Sequence, residues 1–245
     1  MIGIKAGIVW ETTVSYQRGN LLLEKLPAED LEQLLPYLQL VSLEKGQVVC
    51  EQDSTVQHFY FPLTVVVTFS IMMSDGVRTD VAVADCSSMF PLSVVADAHC
   101  LLGVEVLLSG LAYRLPVDVL RREFSRGQAF TQLVMRAVRS LLAQLSMSSA
   151  CFRRHSTLQI MAKLLLVALQ HRNEPELEIT HGQIAEIVGV RREAITLTLK
   201  QLERAGVLEC LRGRILVHDR TALEGLVCVC YRSSHHFGMF QRLLV

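Results

Sequence analysis

The chain lacks the marks of a membrane protein, an enzyme or a metalloprotein. No stretch approaches the ~20 apolar residues of a bilayer span, the longest comparable run being residues 164–169. The opening MIGIKAGIVW has a short apolar patch without the charged region or cleavage site of a signal peptide. The expectation is a cytoplasmic protein with no membrane partner. Among the 7 cysteines there is no C-x-x-C pair. Cys50, Cys86, Cys100, Cys151 and Cys210 stand singly, which reads as small buried hydrophobes. Only Cys228-Val229-Cys230 is clustered, at a spacing unlike common zinc or thioredoxin sites, and His235-His236 belongs to a tail. No metal and no cofactor are therefore expected, and oxidant sensing at Cys228 or Cys230 is a hypothesis. His58, His99 and His155 have no neighbouring nucleophile pattern, so no enzyme is expected. Internal repeats and low-complexity segments are also missing.

An excess of positive charge is absent too, since 24 Lys and Arg balance 24 Asp and Glu. The balance hides a division. Residues 1–151 hold 11 basic against 15 acidic side chains, net −4, whereas residues 152–245 hold 13 against 9, net +4. An anionic partner would meet the carboxy-terminal part. The field is modest, so specific contacts and dimerisation must carry much of any affinity for nucleic acid. A chain of 245 residues that is 51% hydrophobic can bury sizeable cores in one or two domains.

What is present is concentrated in residues 179–217, ITHGQIAEIVGVRREAITLTLKQLERAGVLECLRGRILV. Thr180 with Gln183 forms a capping box, so a short helix starts at His181. Ile184, Ile187 and Val188 make its apolar face, and Gly189 stands where the chain must leave the helix. A second helix over residues 191–205 turns Ile195, Leu199 and Leu202 inward. Ala185, Gly189 and Ile195 suit a helix crossing of roughly 90 to 120°. Two short strands, residues 207–209 and 214–217, flank the turn Arg212-Gly213 as a wing. This pattern predicts a winged helix-turn-helix with double-stranded DNA as partner. Arg192 and Glu193 are the candidate base readers, because Arg reaches O6 and N7 of guanine and Glu accepts from N4 of cytosine. Thr180, His181, Arg191, Thr196, Thr198, Lys200, Arg212 and Arg214 complete the candidate set, with the outward-facing threonines and Lys200 expected at phosphates.

The amino-terminal part reads as β-rich. Glu44-Lys45-Gly46 separates two apolar segments, residues 59–61 end in Pro62, and Asp75-Gly76 joins residues 65–72 and 77–84 as a hairpin. Strands at that spacing suit a jelly roll, flanked by a helical segment over residues 21–40 that Pro27 and Pro36 interrupt. Residues 128–152 form the longest helical pattern. Val134, Val138, Leu141, Leu145, Ser148 and Phe152 recur at steps of four and three, the seam of a parallel homodimer. The same helix could pack on its own β-roll, and both arrangements can hold on different faces, the dimer then using one of them. Two recognition helices about 34 Å apart would then predict an inverted-repeat operator. A hinge is expected near Arg154.

These residues resemble the CRP/FNR transcription regulators, and the chain is most similar to a proteobacterial branch. The similarity runs from Gly19 to Tyr231 through GNLLLEKLPAEDLEQLLPYLQLVSLEKGQVV, HFYFP, DGVRTDVAV, SSACFRRHSTLQ, VGVRREAIT, RGRILVHDRTALEG and CVCY. The resemblance implies an α+β protein of two domains: an amino-terminal β-roll of the cyclic-nucleotide-binding type, a long dimerisation helix and a carboxy-terminal winged helix-turn-helix. The expected boundaries are 1–18 for an extension, 19–126 for the roll, 127–155 for helix and hinge, 156–231 for the DNA-binding domain and 232–245 for a tail. Implied partners are operator DNA, a second copy and RNA polymerase. Family readers of DNA map onto Arg192 and Glu193, whereas a later basic position is Leu197 here. Ala84-Asp85-Cys86-Ser87-Ser88-Met89-Phe90-Pro91 lacks the Gly-Glu pair that holds the cyclic-nucleotide phosphate in the family, and no basic residue lies between Arg78 and Arg114. Control by cyclic AMP is not expected. The alternative reading is a protein-interaction module whose winged helix touches no DNA.

Overall fold

The computed structural model describes residues 19–92, 99–170, 172 and 174–231. The extension 1–18 and the tail 232–245, with His235 and His236, lie outside the described residues. The described chain begins with a helical segment broken where Pro27 and Pro36 require. A 3₁₀ turn at Leu23–Lys25 leads to α1 (Ala28–Leu34) and a second turn at Leu35–Tyr37. The expected helical segment ends earlier than residue 40, because Gln39 and Leu40 pair with Arg114 and Tyr113 as strand.

Seven strands form the roll: β1 (Gln39–Leu43), β2 (Val48–Cys50), β3 (His58–Pro62), β4 (Val66–Met72), β5 (Arg78–Ala84), β6 (Gly103–Leu108) and β7 (Gly110–Pro116). They make an antiparallel sheet of order β1-β7-β3 and a second of order β2-β6-β4-β5. The β4-β5 hairpin turns at Asp75-Gly76 as expected, with Gly76 at φ +80° and the Asp75 carboxylate accepting from the Val77 amide. Phe59, Phe61, Phe69, Phe90, Tyr113 and Leu115 fill the space between the sheets.

One expectation for the cysteines is corrected here. Cys50 and Cys100 are joined as a disulfide, with Cα atoms 6.6 Å apart. Their separation by 50 residues hides the fact that the end of β2 lies beside the segment entering β6.

After β7 come α2 (Val117–Arg126) and the long α3 (Gln128–Arg154). Phe130, Leu133, Val134 and Ala137 of α3 join the core of the roll, and Leu141 and Leu145 pack against it. This corrects the expected seam: Val134 is buried and Leu141 and Leu145 are half-buried, while Val138 and Phe152 are exposed. Met135 and Leu142 are the exposed neighbours instead. Two overlapping registers share Val138, Leu145 and Phe152. Periodicity cannot say which apolar face the chain's own roll will cover.

The carboxy-terminal unit comprises α4 (Thr157–Leu169), β8 (Glu176–Leu177), α5 (His181–Val188), α6 (Arg192–Arg204), β9 (Leu208–Leu211), β10 (Arg214–Val217) and α7 (Arg220–Leu226). Its core includes Leu165, Ile184, Ile195, Leu199, Ile215 and Leu223. The same cluster takes in Val66, Val83, Leu107 and Leu108 from the roll and Cys151 from α3. The unit is therefore seated on the second sheet. Arg172 donates to the carbonyls of Thr64 (3.2 Å) and Ser109 (3.0 Å), and Gln144 to that of Val83 (2.5 Å).

Gly110 tests how tightly the roll closes. A Cβ there would lie 2.4 Å from the Val65 amide nitrogen and 2.7 Å from its Cα, both backbone atoms, whereas one on Gly127 meets nothing within 4 Å. Gly110→Ala is expected to cost about 3 kcal/mol, the upper range for overpacking, and Gly127→Ala less than about 0.5 kcal/mol. Urea unfolding of the two variants checks this. Equal stabilities would mean that the β7 start is not confined.

Candidate nucleic-acid interface

The first helix of the pair begins as its residues dictate. Thr180 Oγ1 accepts from the Gln183 amide (3.2 Å), and Gln183 Oε1 accepts from the Thr180 amide (3.1 Å), so both halves of the capping box form. Gly189 ends the helix at φ +71°, a left-handed conformation that a Cβ disfavours. Two residues later α6 begins, and Ala185, Ile195 and Leu199 meet in the shared core. Helices α5 and α6 therefore pack directly on each other.

The first turn of α6 faces solvent. Arg191, Arg192 and Glu193 are exposed and make no ion pair among the described residues. Arg191 is the N-cap and supplies no side-chain cap. The turn therefore offers open amides as well as two guanidinium groups and one carboxylate. Lys200 and Leu197 are exposed further along, Leu197 at 64%.

The structure divides the three expected polar residues of the helix body. Thr198 is buried and donates to the Ala194 carbonyl at 2.8 Å, so its hydroxyl does not face outward. Its i−4 bond and inward register remove it from the phosphate-facing set. Thr196 is half-buried and donates to the Arg192 carbonyl at 3.0 Å, which leaves its oxygen to accept from His181 Nδ1 at 3.1 Å. His181 thus links α5 to α6 directly below Arg192. Burial, and then the Arg192 charge, hold its pKa below the ordinary imidazole value.

The wing is β9 and β10, paired antiparallel with β8 behind β10. Gly213 turns the hairpin at φ +76°. Arg212 is exposed at the tip, whereas Arg214 is held to Glu176 of β8 at 2.8 Å. Arg212 is thereby the freer of the two wing arginines. Thr180 and His181 lie at the start of α5, and the Thr180 hydroxyl is already engaged as a cap.

Residues 160–226 match the Crp-like helix-turn-helix domain family. Solved structures share the wider architecture. FixK2 from Bradyrhizobium japonicum is 17% identical with a TM-score of 0.64, over 78% of this chain and 98% of its own. A putative CRP/FNR-family transcriptional regulator from Eubacterium rectale is 17% identical with a TM-score of 0.61, over 84% and 97%. A CRP-family transcriptional regulator from Thermus thermophilus is 16% identical with a TM-score of 0.61, over 76% and 95%. No curated protein matches the chain. The fold around the matched residues is thus similar to that of solved CRP/FNR-type regulators.

Around this Crp-like domain the structure gathers residues that linear spacing leaves apart. Cys228 and Cys230 follow α7, and they meet Cys151 and His155 at the end of α3. The spacing C-x-C gives no sign of partners more than seventy residues upstream, so the sequence reading missed the group.

Two histidines, one in each part of the molecule, give the protein a pH signature. His181 and His58 both sit below the ordinary value, His58 through burial and then the Arg114 charge. A histidine with a depressed folded pKa binds protons more readily in the unfolded chain, so its contribution to stability is present above about 6.5. That contribution is lost as pH falls below that value through the folded pKa. The urea midpoint is expected to drop between pH 7.5 and 5.5, and to drop less in His181→Gln. An equal drop in the variant would remove His181 from this role.

Proposed function

We propose that the chain is a sequence-specific DNA-binding transcription regulator that acts as a homodimer on an inverted-repeat operator and is not controlled by cyclic AMP. The observation that carries this reading is the exposed first turn of α6, where Arg191, Arg192 and Glu193 stand without ion-pair partners among the described residues, beside a wing tipped by Arg212. Arg192 and Glu193 read base edges, while Lys200, Arg212 and the amide end of the helix meet phosphates. Leu197, exposed on the same helix, offers an apolar contact for a thymine methyl group.

Dimerisation is assigned to the outer face of α3. Met135, Val138, Leu142 and Phe152 are exposed there, between 42% and 63%, and their spacing follows a heptad seam. The independence from cyclic AMP is supported by the cations near the roll. Arg78 is paired with Glu105 and with Asp80 (3.4 Å), and Arg114 donates to Gln39 (2.7 Å). Asp85 accepts from the Ser87 amide (2.9 Å) and hydroxyl (2.6 Å), which places a carboxylate where a phosphate would need a donor. The cavity between β5, α3 and α4, lined by Val81, Gln144, Phe152 and Lys163, has a volume of about 60 Å³, room for a few waters.

Selection of random-sequence duplexes at fixed salt without added ligand tests the reading. The wild type is expected to enrich an inverted repeat. Arg192→Ala is expected to lose about 1–3 kcal/mol on the selected site and its base preference. Arg212→Ala is expected to weaken all sequences alike and to lower the slope of log K against log salt by about one. Enrichment of nothing, with binding to protein partners that ignores ionic strength, would favour the interaction module instead. Leu142→Glu is expected to yield a monomer in sedimentation and to abolish selection of a repeat; an intact dimer would remove the α3 seam.

A further inference from the structure

We propose that Cys151, His155, Cys228 and Cys230 form a binding site for one zinc ion, which clips the segment after α7 to the junction of α3 and α4. One ligand atom from each of the four residues lies within 4.8 Å of every other. His155 Nε2 and Cys230 Sγ are 3.3 Å apart. In a tetrahedral site with Zn–S bonds of about 2.3 Å, neighbouring ligand atoms are about 3.8 Å apart. The group is therefore within an ångström or so of the closed geometry, a distance that side-chain rotation supplies.

Two independent local structures aim these atoms at one point. Cys151 is in the last turn of α3 and His155 is its C-cap, whose amide donates to the Cys151 carbonyl at 2.9 Å. The i, i+4 spacing sets both side chains on one face. After α7 the chain turns so that the Tyr231 amide donates to the Cys228 carbonyl at 3.1 Å. Val229, 65% exposed, points outward, whereas Cys228 is buried and Cys230 half-buried. Small hydrophobic thiols need no such convergence, and three sulfurs with one imidazole are the donor set that favours zinc over harder cations.

Binding of the dication displaces one proton from each thiol, so Zn²⁺ and three thiolates carry a net charge of −1. Lys163 of α4 lies near enough to Cys151 to act on its charge, and Arg153 and Arg154 are in the same helix turn. With zinc in place the segment after α7, the end of α3 and the start of α4 become one rigid joint. The direction in which α6 is presented depends on that joint, whatever α6 binds.

The test is the metal content of the full chain, purified untagged and without oxygen from zinc-supplemented cells. One zinc per chain is expected, three thiols shielded from alkylation until a chelator is added, and a tetrahedral thiolate spectrum after exchange with cobalt. His155→Gln and Cys230→Ser, at half-buried positions, are expected to weaken zinc at least tenfold, with Cys210→Ser unchanged. If either variant fails to fold, thiol shielding and the cobalt spectrum of the wild type decide alone. A chain that carries no zinc and takes up no cobalt overturns the proposal. So does zinc retained in both folded variants, or a disulfide among Cys151, Cys228 and Cys230 in the anaerobic protein.

Discussion

The two faces of α3 are the constraint on which the rest of the molecule depends. One face is committed to the roll, where Phe130, Leu133, Val134 and Ala137 are part of a single core with the strand side chains. The far end of the same helix belongs to the other core, through Cys151. Burying such side chains contributes roughly 1.5–3 kcal/mol each, so the helix cannot rotate to present a different seam without opening the roll. Its outer face, with Met135 and Leu142, remains exposed. The helix also carries the chain from the roll into the carboxy-terminal unit.

The carboxy-terminal unit is not suspended on a free hinge. Hydrophobic residues of β4, β5 and β6 complete its core, and Arg172 and Gln144 donate to carbonyls across the boundary. These contacts give donors to the carbonyls of Thr64, Ser109 and Val83, which the boundary would otherwise bury unpaired. A change in the roll can reach α5 and α6 through direct packing, without passing along the whole length of α3. The small cavity at this boundary is apolar apart from Gln144, Ser148 and Lys163.

On the exposed side of α6, chemistry and geometry divide the labour. His181 and Thr196 hold the start of the helix from below by hydrogen bonds, and Glu176 holds Arg214 beside the wing turn. Arg192, Glu193 and Lys200 are exposed and outside those bonds. Fixed supports beneath free charged groups give positional accuracy without spending the charges internally.

The sequence by itself determined whatever is local. The capping box at Thr180 and Gln183, the left-handed Gly189, the hairpin at Asp75-Gly76 and the wing turn at Gly213 each follow from what neighbouring backbone groups require of one or two side chains. The inward set Ile184, Ile195, Leu199 and Leu202 follows from the 3.6-residue period. Tertiary structure alone decided what depends on distant partners. It turned Val134 and Leu141 toward the roll and left Met135 and Leu142 outside, because two apolar registers on one helix are equivalent until a sheet covers one of them. It buried Thr198, paired Cys50 with Cys100 and brought Cys151 and His155 to Cys228 and Cys230. Periodicity and spacing report the neighbours along a chain; packing chooses the neighbours in space.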